Sequence, residues 1–217
     1  MPSKPPTIAE LWNSPDAELW DKALDRYWDS IKPANLELER RLESLNREWI
    51  QGLDEQEWYD FLRDEYFRWK YTAANRYATT TRQLYRYIKE GRLDDLFSVK
   101  QRLLSLVPSN IRRGLLLAGE IHGLGTAGAS GLLALLYPEN FGTVDQFAVK
   151  ALCDVPNLVD AEKIKKMNPE GLTCADGELL ICIMQQKAAE NNQCCDSTFW
   201  TPRKIDKVLW TYGRGPD

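Results

Sequence analysis

Residues 112–152, RRGLLLAGEIHGLGTAGASGLLALLYPENFGTVDQFAVKAL, decide how the chain is read. Arg112 to Ile121 has the pattern of a helix that ends in His122-Gly123-Leu124-Gly125. Thr126 opens a second helix whose first turns are built from Ala127, Gly128, Ala129, Ser130 and Gly131. Two glycines one residue apart permit a tight turn with positive φ. The small residues after them let a second helix, or another backbone, come close. Amides at the start of a helix after such a turn form a phosphate site. Beyond Pro138 the chain turns through Phe141-Gly142-Thr143-Val144 into Asp145, which begins a third helix carrying Phe147, Ala148, Ala151 and Leu152. Asp145 follows Gly125 by 20 residues.

Working outward, helical periodicity dominates and no alternating strand pattern is found. The prolines of residues 1–15 predict an extended arm, followed by helices over 16–31 and 35–51. Asp54 is a helix cap, and the helix after it sets Trp58, Phe61, Leu62, Tyr66 and Trp69 on one face. Glu65 falls on the same stripe, as a rim residue or as a pocket carboxylate of altered pKa. From Arg68 to Arg92 bases alternate with aromatics: Arg68, Trp69, Lys70, Tyr71, Arg76, Tyr77, Arg82 and Arg86. Such a run either meets phosphates while its rings stack on an unstacked base, or is an amphipathic helix with solvated bases and core tyrosines. Toward the C-terminus Leu179, Leu180, Ile183 and Met184 form a stripe. Thr201 and Pro202 open a last helix with Ile205, Val208, Leu209 and Tyr212 on one face and Arg203, Lys204 and Lys207 off it. The reading is therefore all-α, one compact helical bundle over 1–217, with an acidic helical lobe over 16–60.

The totals narrow the function. No signal peptide is evident, and the richest apolar runs, Leu115–Ala118 and Leu132–Leu136, fall far short of the roughly 20 residues that span a bilayer. The chain is expected to be cytoplasmic and away from membranes. Five cysteines, two of them adjacent, make a poor disulfide framework, and with one histidine and no C-x-x-C pair no metal site is expected. His122, that one histidine, is read as an exposed turn residue. Residues 1–60 hold 14 acids and 7 bases, 61–120 hold 6 and 12, and 121–217 hold 12 and 9. A basic middle between acidic ends fits a nucleic-acid footprint on one face, and fits equally segments that pair with one another.

At residues 121–145 the sequence resembles the helix-hairpin-helix DNA glycosylase superfamily, which includes endonuclease III, the adenine glycosylases and the 8-oxoguanine glycosylases. Ile121-His122-Gly123-Leu124-Gly125 with Ala129 matches the hairpin, Val144-Asp145 matches the catalytic aspartate, and Lys150 stands where the family usually has a base. The resemblance implies double-stranded DNA as partner and Asp145 as the catalytic carboxylate. Gly123, Leu124, Gly125 and Thr126 would hold a phosphate through backbone amides, with Arg68, Lys70, Arg76, Arg82 and Arg86 as further phosphate contacts. Glu65, Trp69, Tyr71, Tyr77 and Gln146 would form the base pocket. It implies no required cofactor and admits a monovalent cation on hairpin carbonyls. The nucleophilic lysine of bifunctional members is replaced by Ala127, which implies base excision without lyase activity. The iron–sulfur cysteine spacing of one branch and the glutamine-rich pocket helix of the adenine glycosylases are absent, so the base to be excised stays open. A non-catalytic DNA-binding protein of this fold and a protein-interaction module are the alternatives. Asp145 is also a natural helix N-cap, a role that can coexist with catalysis.

Overall fold

The computed structural model describes residues 5–215, and every regular element among them is helical. Where an extended arm over 1–15 was expected, a short helix α1 (Ile8–Trp12) forms; residues 1–4 of that arm lie outside the described residues. Thr7 and Glu10 close a capping box over its first turn, and Ile8, Leu11 and Trp12 are buried, so side-chain burial outweighs the neighbouring prolines. α2 (Ala17–Asp29) is capped by Asp16. The single helix expected over 35–51 is two, α3 (Pro33–Glu43) and α4 (Arg47–Gly52). They break where Asn46 turns its side chain onto the Glu48 amide, a local bond that competes with helix continuation.

Asp54 caps the next helix, as its sequence predicts, in a capping box with Glu57. The rod that follows changes register twice: α5 (Glu55–Asp60), a π-helical turn over Phe61–Tyr66, and α6 (Phe67–Lys70). In the π turn the Phe67 amide bonds to the Leu62 carbonyl, five residues back. The wider turn puts Phe61 with Tyr66, and Leu62 with Phe67, on one buried face. Then come α7 (Ala74–Leu84), α8 (Arg86–Lys89), α9 (Leu93–Leu104), α10 (Ile111–Ala118), α11 (Thr126–Leu136), α12 (Gln146–Cys153), α13 (Ala161–Lys165), α14 (Cys174–Cys195) and α15 (Pro202–Arg214).

The middle of the bundle is α11, in which every residue from Gly128 to Leu136 is buried. A helix apolar on all sides must be covered on all sides, and α10, α14 and α15 pack on it. One apolar core runs from Ile8 to Leu209. In α15, Thr201 is the cap, Pro202 stands in the first turn, and Ile205, Val208 and Leu209 are buried, as the sequence implies. Arg203 and Lys207, placed off that stripe, are nevertheless 3% and 2% exposed. The reason is the acidic lobe, which covers that side. Arg203 donates to Glu39 (3.2 Å) and Glu43 (3.3 Å) of α3 and to Asp206 of its own helix (3.0 Å). Lys207 pairs with Glu43 at 2.5 Å. Part of the charge asymmetry along the chain is thus spent inside the fold.

Removing one member of a buried ion network leaves the others uncompensated, at about 3–5 kcal/mol. Arg203→Met is expected to lose stability of that order in urea unfolding, because Glu39, Glu43 and Asp206 then face one another. A loss of less than about 1 kcal/mol would show that the network does not hold the lobe.

Candidate active site

The hairpin turn begins earlier than its sequence pattern implies: α10 ends at Ala118, and the amides of Gly119, Glu120 and Ile121 fold back onto Leu115, Leu117 and Ala118. Of the two glycines only Gly123 takes a positive φ (+96°); Gly125 is extended (φ −84°). Gly123 is needed twice over, since a Cβ there would lie 2.6 Å from the Thr80 carbonyl of α7. Two tyrosines reach across from the rod to clamp the turn. Tyr71 donates to the Gly123 carbonyl at 3.0 Å, and Tyr66 to the Gly128 carbonyl.

Leu124 is buried and its amide is spent on Ile121 (3.0 Å), so it is not open to a phosphate. Among the described residues no side chain caps α11, which leaves the amides of Thr126 and Ala127 unclaimed beside the exposed Gly125. Those amides are the anion-binding part of the turn. The carbonyls of Glu120, Ile121 and Gly123 each accept a hydrogen bond, from Tyr87, Leu124 and Tyr71.

Asp145 is half-buried and caps α12, its Oδ1 accepting from the amides of Phe147 (2.9 Å) and Ala148 (3.1 Å). Its Oδ2 has no hydrogen-bond partner among the described residues. The chain just before it is fixed on both sides. The Val144 amide donates to Ser130 Oγ at 2.9 Å, and that hydroxyl donates to the Ala127 carbonyl at 3.0 Å. The Thr143 amide donates to Asp206 Oδ2 at 2.6 Å. One serine hydroxyl therefore joins the first turn of α11 to the residue preceding Asp145.

The expected pocket residues separate. Glu65 is not turned into a pocket; the π turn swings it to the rim, where it makes a two-pronged pair with Arg41 (2.6 and 2.8 Å). Tyr71 is committed to the hairpin, and burial pushes its phenol up to about 12, which keeps it a donor at neutral pH. Tyr77 donates to the Arg63 carbonyl (3.3 Å), and Gln146 is exposed. Trp69 is half-buried, donates to Glu39 at 2.5 Å and lies under the Arg203 guanidinium (5.3 Å to the ring centre). Among the expected phosphate contacts Arg68, Arg76 and Arg82 are exposed and carry no ion pair among the described residues, whereas Arg86 pairs with Glu90 (3.1 Å). Lys70 differs from them all: it is half-buried with its stem against Gly131 of α11, and burial lowers its pKa while Asp145 and Asp206 pull it up.

His122 is not the exposed turn residue expected. It is half-buried and stacks on Tyr87 with ring centres 4.4 Å apart, and burial lowers its pKa, with Arg86 and Arg92 pushing the same way. A surface cleft lined by Arg102, Leu106, Val107, Arg113 and Leu116 runs along α9 and α10 and includes none of the candidate site residues. The sequence had not singled out Ser130, Thr143 or Asp206. Their partners stand 14 and 63 residues away, a separation that leaves no local pattern.

Asp206 titrates near 6: burial raises it, and Arg203, the Thr143 amide and Lys207 pull it down. Its folded pKa lies above the ordinary value of about 3.9, so its contribution to stability is complete below that value and is lost as pH rises through about 6. Asp206→Asn has no such titration. The stability of the native chain relative to this variant is therefore expected to fall between about pH 4 and pH 6 and to level off above, as read by thermal unfolding; a flat or rising difference contradicts the assignment. Comparisons with known protein families, with curated proteins and with solved structures find no match to this chain.

Proposed function

We propose that the chain is a DNA glycosylase, of the helix-hairpin-helix type, that excises a damaged or modified base. The observation that carries this reading is the Ser130 bridge, which fixes the unclaimed hairpin amides and the half-buried Asp145 to each other. A phosphate held at Thr126 and Ala127 sets the register of the backbone, and Arg68, Arg76 and Arg82 supply unpaired charge for neighbouring phosphates. The target nucleotide must leave the stack before its glycosidic bond can be reached. As that bond breaks, positive charge builds on the sugar. Asp145 meets it with Oδ2, or uses Oδ2 to orient the attacking water, while its two amide bonds stop the carboxylate from rotating. Ala127 offers no amine at the first turn of α11, so the glycosidic bond is cut by water.

Incubation with duplexes carrying undamaged, oxidised, alkylated, deaminated or glucosylated bases, followed by mass spectrometry of the freed base, tests the reading and names the substrate. Asp145→Asn is expected to lower release by about 10²–10⁴-fold. Asparagine caps a helix as well as aspartate does, so the thermal midpoint should barely move, and lost activity cannot be charged to unfolding. Silence across the panel with salt-sensitive DNA binding points instead to a non-catalytic DNA-binding protein. Silence with no binding removes nucleic acid from the account.

A further inference from the structure

α10 buries Ile111, Gly114, Leu115 and Ala118, positions three or four residues apart that make one inward face. The opposite face of such a helix is ordinarily polar. Here it carries Leu116, which is 57% exposed, and the loop after α9 holds Val107, 68% exposed, in the same cleft. Two other exposed rings are shielded by cations, Trp49 by Arg41 and Phe199 by Lys204. Leu116 and Val107 have no such cover. A single exposed aliphatic side chain means little, but two in one concave patch rimmed by charge mark a contact surface. The cleft has a volume of about 490 Å³, and the buried Leu106 and Leu117 extend its apolar lining.

The rim is basic at both ends. Arg112 and Arg113 stand in the first turn of α10, and Arg102, in the last turn of α9, is paired with Glu120 just past the end of α10. Three guanidiniums thus line the cleft with one carboxylate, in a chain whose net charge is −4. Among the described residues Arg113 has only its backbone amide engaged, by Asn110, and Arg112 reaches Glu178 at 3.4 Å. The Arg102–Glu120 pair is two-pronged, but both side chains are about half exposed, and such a pair contributes little and is readily exchanged for another carboxylate. Phosphates of a nucleic acid would satisfy the guanidiniums and leave Leu116 and Val107 in water. A peptide with apolar side chains between carboxylates satisfies both. Arg113 and Glu120 are two helical turns apart, about 10 Å at the rise of an α-helix, a span that about three residues of extended peptide cross.

We propose that this cleft docks an acidic segment of a partner protein, whose apolar side chains cover Leu116 and Val107 while carboxylates on either side of them meet the guanidiniums. One carboxylate meets Arg112 and Arg113; another, at the far end, takes Arg102 from Glu120. Burial of the aliphatic pair supplies affinity, and the two basic ends fix the register and reject a basic segment. The cleft contains none of the residues assigned to base excision, so the proposal stands or falls apart from that reading.

Fluorescence anisotropy of the full chain with an array of short dye-labelled peptides reads the binding. Each peptide sets leucine or phenylalanine between aspartates or glutamates, and matched controls replace the acids by lysine or the apolar residues by serine. The expected result is saturable binding of the acidic apolar peptides, weaker by about tenfold or more for either control, in Leu116→Ser and in Arg113→Glu. Both substituted side chains are exposed, so the thermal midpoints should match that of the native chain, and the control peptides decide the matter on the unaltered protein if a variant folds poorly. Glu120→Gln is expected to tighten binding severalfold by freeing Arg102, a gain that a merely structural role for Glu120 does not give. Silence across the array, or equal binding of the serine or lysine controls, overturns the proposal. So does duplex DNA binding weakened by Arg113→Glu and Leu116→Ser with no peptide bound, which makes the cleft a nucleic-acid surface. A dimer in sedimentation that Leu116→Ser dissolves makes a second copy the occupant and overturns it as well.

Discussion

A single guanidinium, on a side chain only 4% exposed, ties Glu39 to Arg203 across 164 residues of sequence. Around it are three carboxylates and one further cation, Lys207, so the cluster carries more acid than base. The surplus is absorbed in two ways. Glu39 takes neutral donors, Tyr27 and Trp69, each at 2.5 Å, and Asp206 holds its proton to a higher pH than an exposed carboxyl. A buried cluster of this kind is poor evidence for net stability, because desolvation offsets much of the attraction. What it supplies is a fixed relation between parts. Asp206 reaches the Thr143 amide, Glu39 reaches Trp69, and the lobe, α6 and the Asp145 segment are all referred to the same charge.

The site is assembled from outside the hairpin as much as from within it. α10 and α11 supply the turn and its open amides, but the shape of that turn is held by phenols of the rod and by the close approach of α7 to Gly123. Residues that look suited to stacking on a base are spent on this support. Tyr71 and Tyr66 have their hydroxyls on hairpin carbonyls, and Tyr77 has its own on Arg63. Trp69 faces Gly131 beside Lys70, with its indole N–H on Glu39 and the Arg203 guanidinium over its ring.

What the sequence discloses about this fold is whatever depends on short-range backbone chemistry. The caps at Asp16, Asp54, Asp145 and Thr201 and the start of α11 after a glycine turn all follow from residues within three or four positions of one another. The helical class follows from periodicity in the same way. What it hides depends on partners far along the chain. Arg203 and Lys207 look like solvated bases until α3 covers them, and α1 looks like an arm until Leu11 and Trp12 find the core. The commitment of Tyr71 and the half-burial of Lys70 are hidden for the same reason: neither is a property of the residues beside them.

One further feature left no local mark: the π turn at Phe61–Tyr66. Each residue of an α-helix advances the chain about 100° around the axis, so a turn that holds one residue too many rotates everything after it. α5 keeps its own buried face, while Trp69 and Lys70 are carried round to meet Gly131. A relative shorter by one residue here would keep the apolar seam of α5 and present a different side chain to α11. Length at this turn is thus a heritable dial for what meets α11, one that a comparison of residue identities alone would pass over.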